Sequence, residues 1–550
     1  MTNLRVGLFL LWKRSDNVAI PKINNTHGPE TRNIINETID VVNSFGGVKT
    51  DLSDLTSKLR LLTNDVNAIK KLNVKTDSLL EQAKKINNEN KSVQSQIDTL
   101  ILESGTSDAE VIQARGGKPL LKDRLNTYDA DISKINDDFK KSYMYDKIYG
   151  TLSRYTKPSA MDLAIPFTVS VAPNGNFDYN YDVSRHKNAV SKRYYVDVVN
   201  GNNTNDGTES APFKDLNRAF RYGDADEIVL KSGYYGWSNG IGLGNLWAQK
   251  KNFNLIGDGT VHLGAHRDTQ TWATVSGRNN VFTTTASAVV EIIDFNGGYA
   301  APIFYKKVNS IDEVENTRAS YFIDTGNVIY VRPNYIGKPN DRVLLNIANK
   351  ALPIGDHGKV YIENIKFTNT VTHDTTNPGE LYCKNVDFAY GTGDNALSIF
   401  GDVYFELQNC RALWAERDGF NYHIRGGKLP RGLEINCEGA YNGRDGANQN
   451  NGSTMHDGGK IIRVGGVYRR NHGPNVIDVN DGTQSLNIGV HAHSSTATDT
   501  NSNVDFRTRD DADMWLVNCI SNGSDFSTSV GSPARLHKQN VLLLSPEAVI

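Results

Sequence analysis

Five of the twelve histidines of this 550-residue chain, His423, His456, His472, His491 and His493, fall within one stretch of about seventy residues. Aspartates recur beside them: Asp394, Asp418 and Asp445 each stand nine residues after an asparagine, Asn385, Asn409 and Asn436. Asp418 keeps company with Trp414, Glu416, Arg417, His423 and Arg425, and Asp445 follows Arg444. The polar excursion 441–457 ends in His456-Asp457-Gly458, and the next segment carries Arg469, His472 and Asp478. Paired carboxylates across a groove suit glycoside hydrolysis, one as acid and one as base or nucleophile. Histidine and aspartate among arginines suit phosphodiester cleavage, with Arg on the phosphoryl oxygens and His moving the proton. Uronate elimination, which uses a lone Lys or Arg base, fits a His-rich set least. The candidate catalytic residues are therefore Glu416, Asp418, Asp445, His456 and Asp457, with His423 and His472 in support. Trp414, Arg417, Arg444, Arg469 and Asp478 are the candidate substrate contacts. No metal ligand set stands out; a divalent cation, Ca2+ or similar, is the cofactor such carboxylates could hold. The plainer alternative is that each aspartate opens an Asp-Gly turn and bonds its own backbone.

These residues need a scaffold that brings distant segments side by side. Asn364, Asn385, Asn409 and Asn436 align within similar apolar segments at steps of 21, 24 and 27 residues. Such a period is the mark of a solenoid whose coils stack equivalent side chains. Cys383, Cys410, Cys437 and Cys519 fall in the same segments, form no CxxC pair, and read as stacked core thiols. At the head of the repeat, a strand from Tyr194 to Val199, a loop from Asn200 to Gly207 and an amphipathic segment from Ala211 to Phe220 precede a second strand, Glu227 to Tyr235. This order (YYVDVVNGNNTNDGTESAPFKDLNRAF…DEIVLKSGYY) resembles the entry cap of right-handed parallel β-helix proteins of the pectate-lyase-like superfamily. The resemblance implies a mainly β fold, a right-handed parallel β-helix over 193–535; it speaks to fold and not to reaction.

Upstream, Leu52, Leu55, Leu59, Leu62, Val66 and Ile69 alternate steps of three and four, and Leu80, Ala83, Ile86, Val93, Ile97 and Leu100 continue the pattern. A seven-residue apolar repeat of this length predicts a coiled coil over 51–103. A long amphipathic helix lying on a globular domain is the alternative. Ser107 to Leu125 (SDAEVIQARGGKPLLKDRL) resembles a module of tail and baseplate proteins from phages that infect Gram-positive bacteria. Together with the β-helix cap, this resembles a phage tail spike or receptor-binding protein. The resemblance implies a homotrimer in the virion, an anchor over 1–50 that docks on other tail or baseplate proteins, a connector over 104–192 and a tail over 536–550. It also implies a bacterial cell-wall polymer as partner, with wall teichoic acid, a chain of phosphodiesters, as the substrate that the Arg, His and Asp content favours. A non-enzymatic adhesin and a polysaccharide glycosidase or lyase remain alternatives.

Composition agrees with a thin rod. Hydrophobic residues make up 38 % of the chain, and 60 basic residues balance 62 acidic ones for a net charge of -2. That excludes a polytopic membrane protein and a strongly basic nucleic-acid binder. No run approaches the ~20 apolar residues of a membrane span. The apolar run Val6 to Trp12 precedes Lys13 and Arg14, the reverse of a secretory signal, so synthesis in the host cytoplasm is expected.

Overall fold

The computed structural model describes residues 151–237, 249–267, 270–296, 301–340, 342–347, 350–499 and 501–549. The expected anchor, the coiled coil and the connector up to residue 150 lie outside the described residues. From Arg193–Val196 onward the chain winds into a parallel β-solenoid of about 11 turns with three sheets. Sheet I stacks Arg193–Val196, Glu227–Tyr235, Asn252–Gly264 and Lys359–Thr368, then continues through Arg431–Ile435, Lys460–Val464, Gln484–Ile488 and Asp513–Val517 to Arg535–Gln539. Sheet II includes Asp387–Ala389, Arg411–Leu413, Glu438–Ala440, Val467–Arg469 and His491–His493. Sheet III includes Phe420–His423, Ser453–Met455, Val476–Asp478, Val504–Thr508 and Phe526–Val530. The last strand, Glu547–Val549, still pairs with 528–530, so the winding runs on through the segment after 535.

The asparagine repeat marks the corner between sheets I and II. Asn364, Asn385, Asn409, Asn436, Asn518 and Asn540 all adopt φ between 51° and 58°. Asparagine tolerates this left-handed region because its short amide bonds locally, whereas most L-residues lose roughly 1–2 kcal/mol there. The amides also form a ladder: Asn385 donates to Asn364 at 3.1 Å, Asn409 to Asn385 at 3.3 Å and Asn436 to Asn409 at 2.8 Å. In the next two coils Gly465 and Gly489 replace asparagine at φ 65° and 64°. The Phe177 ring occupies that space, 2.0 Å from where a Cβ on Gly489 would stand.

Phe177 belongs to an extended strap, 151–190, that crosses the outer face of sheet I. Met161, Leu163, Val169, Val171, Tyr181 and Val183 of the strap cover Leu433, Ile435, Ile462, Val464, Leu486 and Ile488. Both faces of sheet I are therefore dry, which explains burial of four consecutive residues in each of its later strands. With apolar residues facing the strap, polar ones turn inward in three successive coils: Glu434, Arg463 and Asn487 stack inside the solenoid. Tyr422, Tyr468 and Ser453 donate to Glu434, and Arg463 reaches Ser453 at 2.9 Å, Asn487 at 3.2 Å and Asp478 at 3.3 Å.

Between 264 and 352 the chain leaves the solenoid to build a small β insertion. It has a five-stranded and a three-stranded sheet around Trp272, Phe282, Ile292, Tyr305 and Ile329. Its Ile293, Phe295 and Leu344 pack on Tyr390, Leu413 and Ala440 of the solenoid. The sequence reading over 193–535 gave no sign of this excursion. The four cysteines are buried, and Cys410, Cys437 and Cys519 direct their thiols at backbone carbonyls.

Candidate active site on the outer face of sheet III

Strand alternation decides which side chains of sheet III face outward. Phe420, Tyr422 and Met455 belong to the interior core, so Asn421, His423, Thr454 and His456 point the other way. Register then stacks Phe400, His423 and His456 on successive coils. The His423 and His456 rings lie 3.9 Å apart at 15°, and Phe400 lies 5.7 Å above His423. Arg425 covers Phe400 at 5.1 Å and clamps Asp374 with two bonds of 2.8 and 2.5 Å.

Asp457, at φ 63° in the turn that follows, sets its carboxylate 3.1 Å from His423 Nδ1 and accepts from the backbone N–H of Ile424. A carboxylate only accepts, so Nδ1 carries the proton, and in the neutral ring Nε2 is the acceptor. His456 is half-buried, and burial lowers its pKa to about 4, helped by His423 beside it and by Arg509; at neutral pH it is uncharged. In the turn that enters the strand Phe420–His423, Asp418 accepts from the Asn451 N–H at 2.6 Å, from Thr454 at 3.0 Å and from Asn421. Burial outweighs those bonds and pushes its pKa up to about 6.

The remaining candidates lie elsewhere. Glu416, Arg417, Arg444, Asp445 and His472 stand in the turns that enter sheet III, at the opposite end of its strands from His423 and His456. Arg444 is pinned: it pairs with Glu291 of the insertion at 2.6 Å, donates to the Trp414 carbonyl and lies 4.0 Å over Phe304. Glu416 caps the Gly393 N–H at 2.6 Å. Asp445 is exposed and accepts from the Ala447 N–H at 2.9 Å and the Asn450 amide at 2.5 Å, which is the plain turn role. Its side chain is not stacked on that of Asp418, whose neighbours in register are Asn395 and Asn451. Arg417 is exposed, and His472 is half-buried with its backbone N–H on the Asn442 carbonyl.

Trp414 stacks on Tyr441 at 4.4 Å, and Arg469 caps Tyr441 at 4.9 Å while pairing with Glu438 at 2.7 Å. Asp478 faces inward and bonds Arg463 and Ser485, wholly away from any polymer. Asp478, a candidate substrate contact by sequence, is instead part of the polar interior of these coils.

Two outward arginines escaped notice in the sequence. Arg507 lies two coils beyond Thr454 on the same face, and extending the register by one residue places Arg509 two coils beyond His456. The signal was available in the alternation of Val504–Thr508, where Val504 and Phe506 fill the core and Arg507 turns out. Among the described residues no group of three or more His, Cys, Asp or Glu is placed to hold a metal ion. The donor set for a divalent cation is thus not assembled there, and no helix among them is long and apolar enough to cross a membrane.

No family model and no curated protein matches the sequence. Among solved structures the chain is similar to a glycoside hydrolase at 10% identity, covering 64% of this chain and 96% of that one with a TM-score of 0.36. It is similar to pectate lyase Pel9A at 11% identity, covering 64% and 70% with a TM-score of 0.32. It is also similar to the tailspike protein gp49 of Pseudomonas phage LKA1 at 12% identity, covering 59% and 67% with a TM-score of 0.15. The β-solenoid itself is established by the register of the chain's own strands.

Proposed function

We propose that this chain is a phage tail spike that binds and hydrolyses a polymer on the bacterial surface, with wall teichoic acid as its substrate. The supporting observation is the His423–Asp457 pair stacked on a neutral His456. In this reading Asp457 orients His423, and His423 Nε2 takes a proton from water as the water attacks phosphorus. The glycerol oxygen departs and is protonated from solvent. His456, kept uncharged by burial, turns its one ring N–H from Asn480 to a phosphoryl oxygen as charge builds there. Three chains bundled by the expected coiled coil would turn weak binding of one repeat into avid attachment.

Glycoside hydrolysis is the second reading, and Asp418 favours it. A carboxyl group raised to about 6 is suited to general acid work, although here it sits under Asn421 and Thr454. Incubating the full chain with purified poly(glycerol phosphate) teichoic acid should release glycerol phosphate fragments. New reducing ends from a polysaccharide would move the assignment to a glycosidase. No product from any host polymer would overturn both, leaving an adhesin whose binding survives His456→Ala.

A further inference from the structure

The arginines of the coiled region differ in what they touch. Arg411, Arg425, Arg431, Arg463 and Arg535 each hold a carboxylate within 3.3 Å. Arg507 and Arg509 have no ion pair of this kind among the described residues. Arg507 is half-buried, its Nη1 donates to the Asn501 carbonyl at 2.9 Å, and its Nε is enclosed without any hydrogen-bond partner. Leaving a guanidinium N–H enclosed and unpaired is unfavourable, so a protein keeps it where an anion will complete it.

Of the nearby acids, Asp499 acts on Arg507 through its charge without forming an ion pair among the described residues, and the others are engaged elsewhere. Asp511 pairs with Arg535 at 2.7 Å, Asp510 accepts from the Asn480 N–H, Asp481 accepts from the Asp511 N–H, and Asp499 accepts from the Ser502 N–H. Both arginines project from the face that carries His423 and His456, two coils further along. At about 4.8 Å per coil, that is roughly 10 Å from His456. We propose that Arg507 and Arg509 form an anion-binding subsite that grips the negatively charged group of a polymer repeat lying along sheet III beyond His456. The proposal rests on the functional reading in one respect, that the polymer runs over this face. Guanidinium forks recognise a phosphodiester and a uronate carboxylate through the same charge-assisted bonds. Arg444 and Arg469, which the sequence had suggested for this task, are consumed by Glu291 and Glu438.

The test measures binding of three probes, poly(glycerol phosphate), polygalacturonate and neutral dextran, to the full chain in a His423→Ala background that does not consume them. Arg507→Gln and Arg509→Gln should each weaken binding of an anionic probe about ten-fold and flatten its dependence on salt. Dextran binding should not respond. Sensitivity with poly(glycerol phosphate) alone assigns the subsite to phosphate, and sensitivity with polygalacturonate alone assigns it to carboxylate; either supports the proposal. Unchanged affinity and salt dependence for both anionic probes in both variants would overturn it. Arg509 is exposed, so Arg509→Gln reports on binding even if Arg507→Gln perturbs folding, which thermal melting would reveal. Arg-dependent binding without cleavage in the His423-intact chain would sink the hydrolytic reading and leave the subsite. Cleavage with arginine-independent binding would do the reverse.

Discussion

The turns entering sheet III and the turns leaving it are both rich in charge, yet their side chains are used differently. At the entrance Arg444 is locked onto Glu291, Glu416 onto a backbone N–H and Asp445 into its own turn, and Arg417 stands exposed without an ion pair among the described residues. At the exit, His423 keeps one ring nitrogen without an assigned bond, His456 is held neutral, and Arg507 and Arg509 lack carboxylates. Arg444 and Glu291 complete one another across the joint between solenoid and insertion. Charged residues left incomplete are the ones available to a ligand.

Four measurements would break or sharpen that contrast. The largest effect is expected at the exit, where His423→Ala and His456→Ala should each lower kcat on the cleaved polymer by about 100-fold or more. Thermal melting of both variants should stay close to that of the parent; a collapse in melting temperature with kcat intact would place these rings among structural residues. At the entrance, Arg444→Ala should cost about 1.5–3 kcal/mol, the range for hydrogen bonds to charged groups, by loosening the insertion from the coils. Hydrogen exchange should accelerate in strands of the insertion while kcat per folded molecule holds.

The third measurement is a pH titration of His456 by NMR, expected to show a midpoint near 4 rather than near 6.5. Because the unfolded chain takes up that proton at higher pH, the contribution of His456 to stability is complete above about 6.5 and is lost as pH falls through 4. Burial of Asp418 works the other way: its contribution is complete below about 4 and disappears as pH rises through 6. The smallest effect belongs to Asp445→Ala, within about 0.5 kcal/mol in stability with turnover unaltered. A large loss of activity there would shift the site to the entrance.

The solenoid was legible because its corner imposes a residue type. A left-handed backbone with a stacking amide selects asparagine coil after coil, and the steps from Asn364 to Asn436 expose the winding. The insertion left no such trace, since its strands alternate like coils but carry no repeated corner. His456 and Asp457 could be picked out as neighbours, and His423 as their company. Asp478 could not be placed, because the usual inward preference of apolar residues is reversed where the strap covers sheet I. The side-chain column linking Asp418 to Asp445 came from counting residues in coils of unequal length, and the excursion at 441–451 shifts the register that counting assumed.

The gap in the asparagine ladder has a consequence for how such a rod is assembled. Phe177 fits only where two successive coils carry glycine at the corner, so it works as a key in a slot cut at one height of the rod. The strap that this key locates leads into the first solenoid strand, Arg193–Val196. An extra coil added below Gly489 would lengthen the rod without moving that entry point. One added between Asn436 and Gly465 would carry the slot one step away from the His423–His456 pair.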